Sequence, residues 1–334
     1  MSGRDPDPLF APLAEARGLL AAVSGGPDSM ALLGLLARWA ADGSRPPVTV
    51  ATVDHGLRPE SAEEAVLVAR FAAGLGLPHR TLAWSGEKPA RGLPEAAREA
   101  RYALLVALAR EIGASHMVTA HTLDDQAETV LMRLARGSGP AGLAGMRPLV
   151  ERDGILHARP LLGLPKADLV GLCRENGWPF VEDPTNRDDR FARPRWRRLR
   201  SALAAEGLTP ERLARLAGRM GRAEDALEAK AREALARAAG EGGTRLSLHR
   251  LAEEPSEIAL RALGLAVAER GASGEPLRLE RLEACTEALL AALQASEPLR
   301  RTLGGVVLSL DRSGDLSIVP EPPRRRGRAE NTSP

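Results

Sequence analysis

Short apolar runs alternate with longer amphipathic segments between residues 18 and 136. The apolar runs predict four strands, at 18–23, 48–53, 80–84 and 115–120. The segments that follow them carry apolar residues at helical spacing and predict helices at 28–39, 61–75, 94–112 and 123–136. Strands that alternate with helices are typical of βαβ units, whose parallel sheet is covered on both faces. The pattern therefore predicts a doubly wound α/β domain with a mainly parallel sheet, and a ligand at the carboxyl ends of its strands.

Helical periodicity dominates the second half of the chain. It predicts helices at 166–176, 210–239, 256–270 and 277–294. Short apolar runs near the end predict a small sheet from strands at 299–302, 306–310 and 316–319. We therefore expect the α/β domain to occupy residues 1–205 and a mainly helical domain to occupy 206–320. A disordered basic tail is expected over 321–334.

Charge is unevenly distributed, although 46 basic and 44 acidic side chains give a net charge of only +2. Ten arginines lie between residues 190 and 222, against two acidic residues, Glu206 and Glu211. A general compositional bias would spread arginine evenly, so the cluster indicates a surface that binds a polyanion such as RNA. The alternative is a solvated helix face in an arginine-rich protein.

Composition excludes several classes of protein. Only two cysteines occur, Cys173 and Cys285, which excludes a disulfide scaffold and a cysteine-rich zinc module. No apolar run reaches the ~18 residues that span a bilayer. The first eight residues are acidic and contain two prolines, unlike a secretory signal. We therefore expect a cytoplasmic protein that does not contact a membrane.

A glycine-containing hexapeptide joins the first predicted strand to the first predicted helix: Ser24-Gly25-Gly26-Pro27-Asp28-Ser29. Glycines let the backbone approach an anion closely, and the start of a helix offers unpaired N–H groups to a phosphate. The serine hydroxyls add further donors. The hexapeptide is not a Walker loop, because the lysine of that motif is missing. The alternative is an ordinary strand-to-helix turn in which Asp28 is simply an acid at the start of a helix.

Two carboxylates stand near the start of the fourth predicted helix. Asp125 and Glu128 are three residues apart, so they lie on neighbouring parts of one helix face. Carboxylates just after a strand can meet Mg²⁺ or an ammonium group. The alternative is that Asp124 and Asp125 only complement the dipole of the helix.

His55 and His121 each follow a predicted strand, beside the expected ligand crevice. Imidazole titrates near neutral pH, so either residue could contact a nucleotide or transfer a proton. A structural hydrogen bond is the alternative for both. The sequence leaves these roles open.

The hexapeptide resembles the pyrophosphate loop of the N-type ATP pyrophosphatases, which cleave ATP between its α and β phosphates. Further segments occur in the order found in the tRNA(Ile)-lysidine synthase family, and the resemblance covers about residues 18–200. These segments are Val53–Arg58, His121–Thr129, Arg136–Gly139 with Gly142–Met146, Arg159–Leu162 and Glu182–Asn186. The resemblance implies a PP-loop, Rossmann-like catalytic domain followed by a domain that contacts tRNA.

The activity that the resemblance implies begins with adenylation of C2 of the wobble cytidine in the CAU anticodon of tRNA(Ile). Free L-lysine then displaces AMP and gives lysidine. ATP is the co-substrate, and Mg²⁺ is the expected metal, associated with Asp28. The resemblance places ATP on Ser24–Ser29 and assigns Asp125 and Glu128 to the region of ATP and lysine. It leaves a homodimer open.

Arg193 and Arg197 align with arginines of the family and are expected to contact the tRNA backbone, with His55 and His121 beside the substrates. The sequence departs from the family at Pro194, where an asparagine is usual, so a side-chain role for that position is in doubt.

Three other functions compete with this one. A small-molecule ATP pyrophosphatase, such as an amidating ligase, would not explain the arginines between 190 and 222. A tRNA thiolase with the same loop needs paired cysteines or an iron–sulfur cluster, and the two cysteines of this chain form no C-x-x-C. An RNA-binding module without activity would explain the arginines but would leave the Ser24–Ser29 loop, Asp125 and Glu128 without a task.

The segment from Gly137 to Gly142 matches G-x-G-x-x-G only formally. It follows a predicted helix rather than a strand, which argues against a dinucleotide fingerprint. We expect a flexible loop near the site, on the side that faces RNA.

Overall fold

The computed structural model describes most of the chain as two compact units, residues 1–221 and 222–334. The residues it describes are 6–56, 60–86, 88–89, 91–181, 192–240, 245–271 and 277–322. No helix among them is long and apolar enough to cross a bilayer. Most of the predicted basic tail, from residue 323 onward, lies outside the described residues. The assignment of catalysis to residues 1–205 and of tRNA contacts to residues 206–320 stays a prediction.

The first unit contains a sheet flanked by helices. Its strands β1 to β6 are Leu19–Ala22, Val48–Asp54, His79–Ala83, His116–Val118, Leu149–Arg152 and Ile155–Ala158. Its helices α1 to α8 are Asp7–Phe10, Pro27–Ala40, Glu60–Gly74, Leu93–Glu111, Leu123–Leu134, Pro140–Leu143, Lys166–Glu175 and Ala192–Ala205, and Ala11–Leu13 forms a turn of 3-10 helix. Helix α9, Pro210–Ala238, includes the boundary between the units.

The sheet of the first unit has the strand order β3-β2-β1-β4-β6-β5. All neighbouring strands are parallel except β5, which pairs antiparallel with β6. The order turns back at β1, because β2 lies on one side of this strand and β4 on the other. Open α/β sheets bind their ligands at such a point, outside the carboxyl ends of the strands. The predicted α/β fold and its four parallel strands are confirmed.

Helix α2 buries most of its length, which fixes the loop that precedes it. Leu32, Leu33 and Leu36 are fully buried, as expected for a helix between a sheet and an outer helix. Gly34 packs against the ring of Trp178, so closely that a Cβ at this position would lie 2.5 Å from ring atoms. The helix is therefore held between β1 and the segment that contains α7.

The second unit combines helices with a small antiparallel sheet, as the sequence predicts. Its strands β7 to β10 are Arg245–Ser247, Leu299–Leu303, Val306–Leu310 and Asp315–Pro320, in the order β7-β10-β9-β8. Helices α10 to α12 are Leu248–Ala252, Ser256–Arg270 and Leu279–Gln294. Their apolar faces and the last part of α9 form one core with the sheet, and Ala262, Leu289 and Leu308 lie at its centre.

Several elements differ from the expectation. The β5–β6 hairpin was not predicted, since three of the four β5 residues are exposed and show no apolar alternation. Strand β7 and helix α10 were also missed. Both are too short for a periodic pattern to identify.

Candidate active site

The hexapeptide forms a closed turn between β1 and α2. Gly25 has a φ of +84°, a conformation that residues with a side chain rarely adopt. The Ser24 N–H donates to Ser29 Oγ at 3.1 Å, and the Ser29 hydroxyl donates to the Gly26 carbonyl at 2.9 Å. The two serine hydroxyls lie 3.3 Å apart. The turn thus places two hydroxyls and the N-terminus of a 14-residue helix at the carboxyl end of the central strand, a combination that suits a phosphate group.

Asp28 stands in the first turn of α2, and its two oxygens have different surroundings. Oδ2 accepts a hydrogen bond from the Lys166 ammonium group. Oδ1 is buried and has no hydrogen-bond partner. Burial raises the pKa of Asp28 above its ordinary value, against the lowering effect of Lys166, and the charges of Asp125 and Asp124 raise it further. An ionised Asp28 therefore lies in a site that lacks enough positive charge to balance it.

Lys166 connects the loop to helix α5. Its ammonium group pairs with Asp28, and its backbone N–H donates to Asp124 Oδ2 at 2.7 Å. No motif in the sequence points to this residue. The one feature that could have drawn attention to Lys166 is that lysine is rare in this chain. It occurs only at positions 88, 166 and 230, and the other basic side chains, histidine aside, are arginines.

The start of α5 combines a helix cap with the predicted acids. Asp125 Oδ2 accepts hydrogen bonds from both the N–H and the hydroxyl of Thr122, each at 2.9 Å. The Asp125 N–H donates back to Thr122 Oγ1 at 3.3 Å, which completes a capping box. Asp125 therefore has a structural role as part of a helix cap, and its role toward a substrate stays a prediction.

Glu128 lies one turn further along α5 and is 7% exposed. Together with Asp124 it borders a small, open cleft whose walls are otherwise mainly apolar. The walls come from α5, α8, the start of α9 and the connection between α8 and α9, and comprise Ala127, Leu131, Trp196, Leu203, Leu208, Pro210 and Leu213. Acids at one side and apolar walls are the lining that an aliphatic chain ending in a cation would need, but the cleft has room for only about one or two water molecules.

The two candidate histidines follow the strands on either side of β1. His55, after β2, has a buried Nδ1 without a hydrogen-bond partner, and its ring meets Trp84 edge-on at 6.0 Å. Burial lowers the pKa of His55, and the positive charge of Arg101 lowers it further. His121, after β4, has its Nδ1 2.8 Å from the hydroxyl of Thr119.

The glycine-rich segment after α5 is more ordered than its composition predicts. Part of it forms the short helix α6, and Gln126 exchanges two hydrogen bonds with the backbone of Met146, at 3.0 and 2.7 Å. Arg133 donates to the carbonyls of Gly142 and Gly145 at 2.8 and 2.9 Å. Side chains of α5 thus satisfy part of the backbone of this segment, and the expectation of a flexible loop stays a prediction.

The predicted RNA contacts fall only partly within the described residues. Positions 193 and 197 belong to helix α8, one turn apart, but their side chains lie outside the described residues. Pro194 falls in the first turn of α8, where proline is tolerated because the N–H groups have no partner within the helix. The segment 182–191, which contains one of the family-like motifs, also lies outside the described residues.

Asp28 is the residue best suited to hold a divalent cation. Its buried Oδ1 has no hydrogen-bond partner, and two further carboxylates stand close enough to influence its pKa. Among the described residues, no group of three or more His, Cys, Asp and Glu side chains could hold a metal alone. This arrangement fits Mg²⁺, which is usually bound through one or two carboxylates together with substrate phosphates and water.

Comparison with known proteins identifies the class of the chain. Residues 4–203 match a family of PP-loop domains, which defines the chain as a PP-loop ATP-binding protein. It is 56% identical to a tRNA(Ile)-lysidine synthase of Methylobacterium sp. (strain 4-46) over 93% of this chain and 91% of that protein. It is 57% identical to the tRNA(Ile)-lysidine synthase of Methylobacterium nodulans over 93% of each. The chain therefore belongs to the tRNA(Ile)-lysidine synthase family, whose members are ATP-using ligases, as the motifs predicted.

A solved structure shares the fold. The U34-tRNA thiolase NcsA from Methanococcus maripaludis, solved with its [4Fe-4S] cluster, superposes with a TM-score of 0.56. The match covers 65% of this chain and 78% of that protein, at 16% identity. At this identity the likeness concerns the fold alone.

Proposed function

We propose that the protein attaches free lysine to C2 of the wobble cytidine in the CAU anticodon of tRNA(Ile), consuming ATP and releasing AMP and pyrophosphate. The observation that carries this proposal is the similarity to relatives named tRNA(Ile)-lysidine synthase, which are 56% and 57% identical over 93% of the chain. The site geometry supports it, because a phosphate-binding turn and a set of acids meet at one end of the sheet.

The first step is adenylation of the cytidine. Its C2 oxygen attacks the α phosphorus of ATP, the bond from that phosphorus to the bridging oxygen of the β phosphate breaks, and pyrophosphate leaves. The N-terminus of α2 and the hydroxyls of Ser24 and Ser29 would hold the leaving pyrophosphate. Mg²⁺ bound at Asp28 would supply charge neutralisation for the phosphates.

The second step replaces AMP by lysine. An amine of lysine attacks C2, the bond between C2 and the adenylated oxygen breaks, and AMP departs. The lining of the cleft beside Glu128 supports this step, since its acids suit an ammonium group and its apolar walls suit an alkyl chain, and the cleft would widen to admit lysine. Glu128 and Asp125 would orient the lysine and take up the proton that its amine must lose before it attacks.

The tRNA is proposed to lie along α8. Arg193 and Arg197 are one helical turn apart and belong to the segment with ten arginines. Guanidinium groups bind phosphate through paired hydrogen bonds, so this segment suits an RNA backbone.

A thiolase activity is disfavoured by the state of the cysteines. Cys173 is buried against the start of α2, where its thiol donates to the Pro27 carbonyl at 3.4 Å. Burial, followed by the charge of Asp28, raises the pKa of Cys173 to about 11, so its reactive thiolate is scarce at neutral pH. The remaining cysteine, Cys285, is buried in the core of the second unit. Two separate cysteines cannot supply the thiolate set of an iron–sulfur cluster.

Incorporation of radiolabelled lysine into a CAU-anticodon tRNA(Ile) transcript tests the proposal. Label that depends on ATP is the expected result, and a transcript with a different wobble base is the matched control. Release of AMP without incorporation of label would indicate that another nucleophile takes the place of lysine. If neither labelled tRNA nor AMP forms, the remaining interpretation is an RNA-binding module without activity.

A further inference from the structure

A line of hydrogen bonds runs from the interior of the first unit to His121. Arg159 Nη2 lies 3.1 Å from His157 Nδ1, and His157 Nε2 lies 2.8 Å from Thr119 Oγ1. The same Thr119 oxygen lies 2.8 Å from His121 Nδ1. The line joins β6 to β4, and it ends at the carboxyl end of β4, beside the phosphate-binding turn.

The direction of the first hydrogen bond is fixed by chemistry. A guanidinium group has only donors, so His157 Nδ1 must accept from Arg159. An imidazole whose Nδ1 accepts carries its hydrogen on Nε2, and His157 therefore donates to Thr119. Burial, and then the charge of Arg159, lower the pKa of His157 to about 2, which keeps this ring neutral.

The remaining bond follows from the single hydrogen of a hydroxyl. Thr119 Oγ1 accepts from His157 and still has one hydrogen to donate. Among the described residues, His121 Nδ1 is the other atom within hydrogen-bond distance of this buried hydroxyl, so we infer that the hydrogen is directed there, which leaves no buried donor without an acceptor. Thr119 and His157 are each 1% exposed, which leaves water little opportunity to reverse either bond. Arg159 is held in turn by a bond from its Nη1 to the Arg147 carbonyl at 2.7 Å.

We propose that Arg159, His157 and Thr119 are positioning residues that hold His121 as the tautomer with its hydrogen on Nε2. In this form His121 donates a hydrogen bond from Nε2 and does not accept a proton there. The inference rests on the proposed function only for the identity of the acceptor, which would be an oxygen of the nucleotide or of the RNA. It decides between the two functional roles that the sequence left open for His121: contact with substrate rather than proton abstraction.

The test is nitrogen NMR of the full-length protein labelled with ¹⁵N-histidine. The two neutral tautomers give distinct ¹⁵N signals, and loss of one set in His121→Gln assigns the residue. We expect His121 to show an unprotonated Nδ1 and a protonated Nε2 in the unsubstituted protein. The opposite tautomer would overturn the proposal. This measurement does not require any variant of the hydrogen-bonded relay Arg159–His157–Thr119 to fold.

Variants then test the relay itself. Thr119→Val keeps the shape but removes the hydroxyl, so the His121 signals should become those of a tautomer mixture, and Thr119→Ser should restore them. Thr52→Val is a matched control, because Thr52 Oγ1 lies 3.0 Å from His79 Nε2 in a separate pair. It should change the His79 signals and leave those of His121 in place. His121 signals unchanged in Thr119→Val would show that Thr119 does not set the tautomer.

Activity separates this proposal from the proposed function. In Thr119→Val we expect the rate of ATP-dependent AMP release to fall about tenfold, as for one weakened hydrogen bond, with KM for lysine unchanged. If the unsubstituted protein shows the expected tautomer but no ATP-dependent chemistry, the proposed function fails and the relay stands. If it is active but shows the opposite tautomer, the relay fails and the function stands.

Discussion

Asp28 and Lys166 form an ion pair in which the carboxylate remains incompletely balanced. One Asp28 oxygen contacts the ammonium group, and the other is buried without a hydrogen-bond partner. Because the folded chain raises the pKa of Asp28, folding favours its protonated form. The contribution of Asp28 to stability is therefore fully present below its ordinary pKa of 3.8, and it is lost as pH rises through the higher folded-state value.

The first prediction follows because ionised Asp28 contributes less to stability than its protonated form. Asp28→Asn should raise the free energy of unfolding of the metal-free protein at pH 7 by about 0.5–2 kcal/mol, because the neutral amide resembles the favoured protonated acid. The same change should reduce ATP-dependent lysine incorporation at least about a hundredfold. Urea unfolding and the labelling assay measure the two effects. Asp42→Asn, an exposed control whose pKa is lowered by its bond to Ser44, should give neither. A less stable Asp28→Asn protein would contradict the argument.

Lys166 gives the second prediction. Lys166→Met removes the charge that lowers the pKa of Asp28, so that pKa should rise further, while Lys166→Arg should keep it close to its original value. The pKa can be followed by ¹³C NMR of the Asp28 carboxyl in metal-free protein, with Asp28→Asn to assign the signal. An unchanged titration in Lys166→Met would mean that the ion pair does not form in solution.

Helix α2 shows how packing can override local preference. Alanine is favoured over glycine inside a helix, yet position 34 has glycine because the Trp178 ring occupies the space of a Cβ. Gly171, inside helix α7, has nothing within 4 Å of the same position. Both glycines thus lie inside a helix, but the space for a Cβ is filled at Gly34 and empty at Gly171.

This contrast gives the third prediction. Gly34→Ala should lower the free energy of unfolding by about 1–3 kcal/mol, because the ring or the helix must move. Gly171→Ala should raise it by up to about 1 kcal/mol, since the helix gains and nothing is displaced. Thermal unfolding of both proteins measures the difference. Equal shifts in the two variants would mean that Trp178 yields without cost.

Elements with a strong periodic pattern could be predicted from the sequence, and those held by tertiary contacts could not. Helix α5 and strand β2 lie within two residues of their predicted bounds, because their apolar residues report burial directly. Strand β5 is mostly exposed and has no such signal. In the site, the turn at Gly25 was recognisable from local chemistry, but Lys166 reaches Asp28 across 138 positions of the chain. No local pattern contains that contact.

At the scale of the molecule, each unit has its own hydrophobic core. The core of the first unit centres on β1 and α2, and that of the second on α11, α12 and its small sheet. The arginine-rich helix α8 lies in the first unit, as does the Ser24–Ser29 turn. The proposed nucleotide and RNA contacts thus belong to the same unit.

The fourth prediction concerns RNA affinity. Replacing Arg193 and Arg197 together by alanine should weaken tRNA binding and reduce the slope of log K against log salt by roughly 1.5, as for two lost phosphate contacts. The matched control removes Arg17 and Arg80, which are exposed near the amino ends of β1 and β3, at the opposite edge of the sheet. Filter binding across a range of salt concentrations measures both. Equal slopes for the two double variants would place the RNA surface elsewhere.

Strand β5 has a consequence for the behaviour of the protein at high concentration. It is the last strand of the sheet order, and Leu149 and Val150 are 44% and 40% exposed. An outer strand with exposed apolar residues is a template onto which another chain can add a strand and begin to aggregate. Here the strand is only four residues long, and Glu151 and Arg152 fill its second half. Short length and charge are the usual protections of such an edge, so we expect Glu151 and Arg152 to keep the protein from aggregating when it is concentrated.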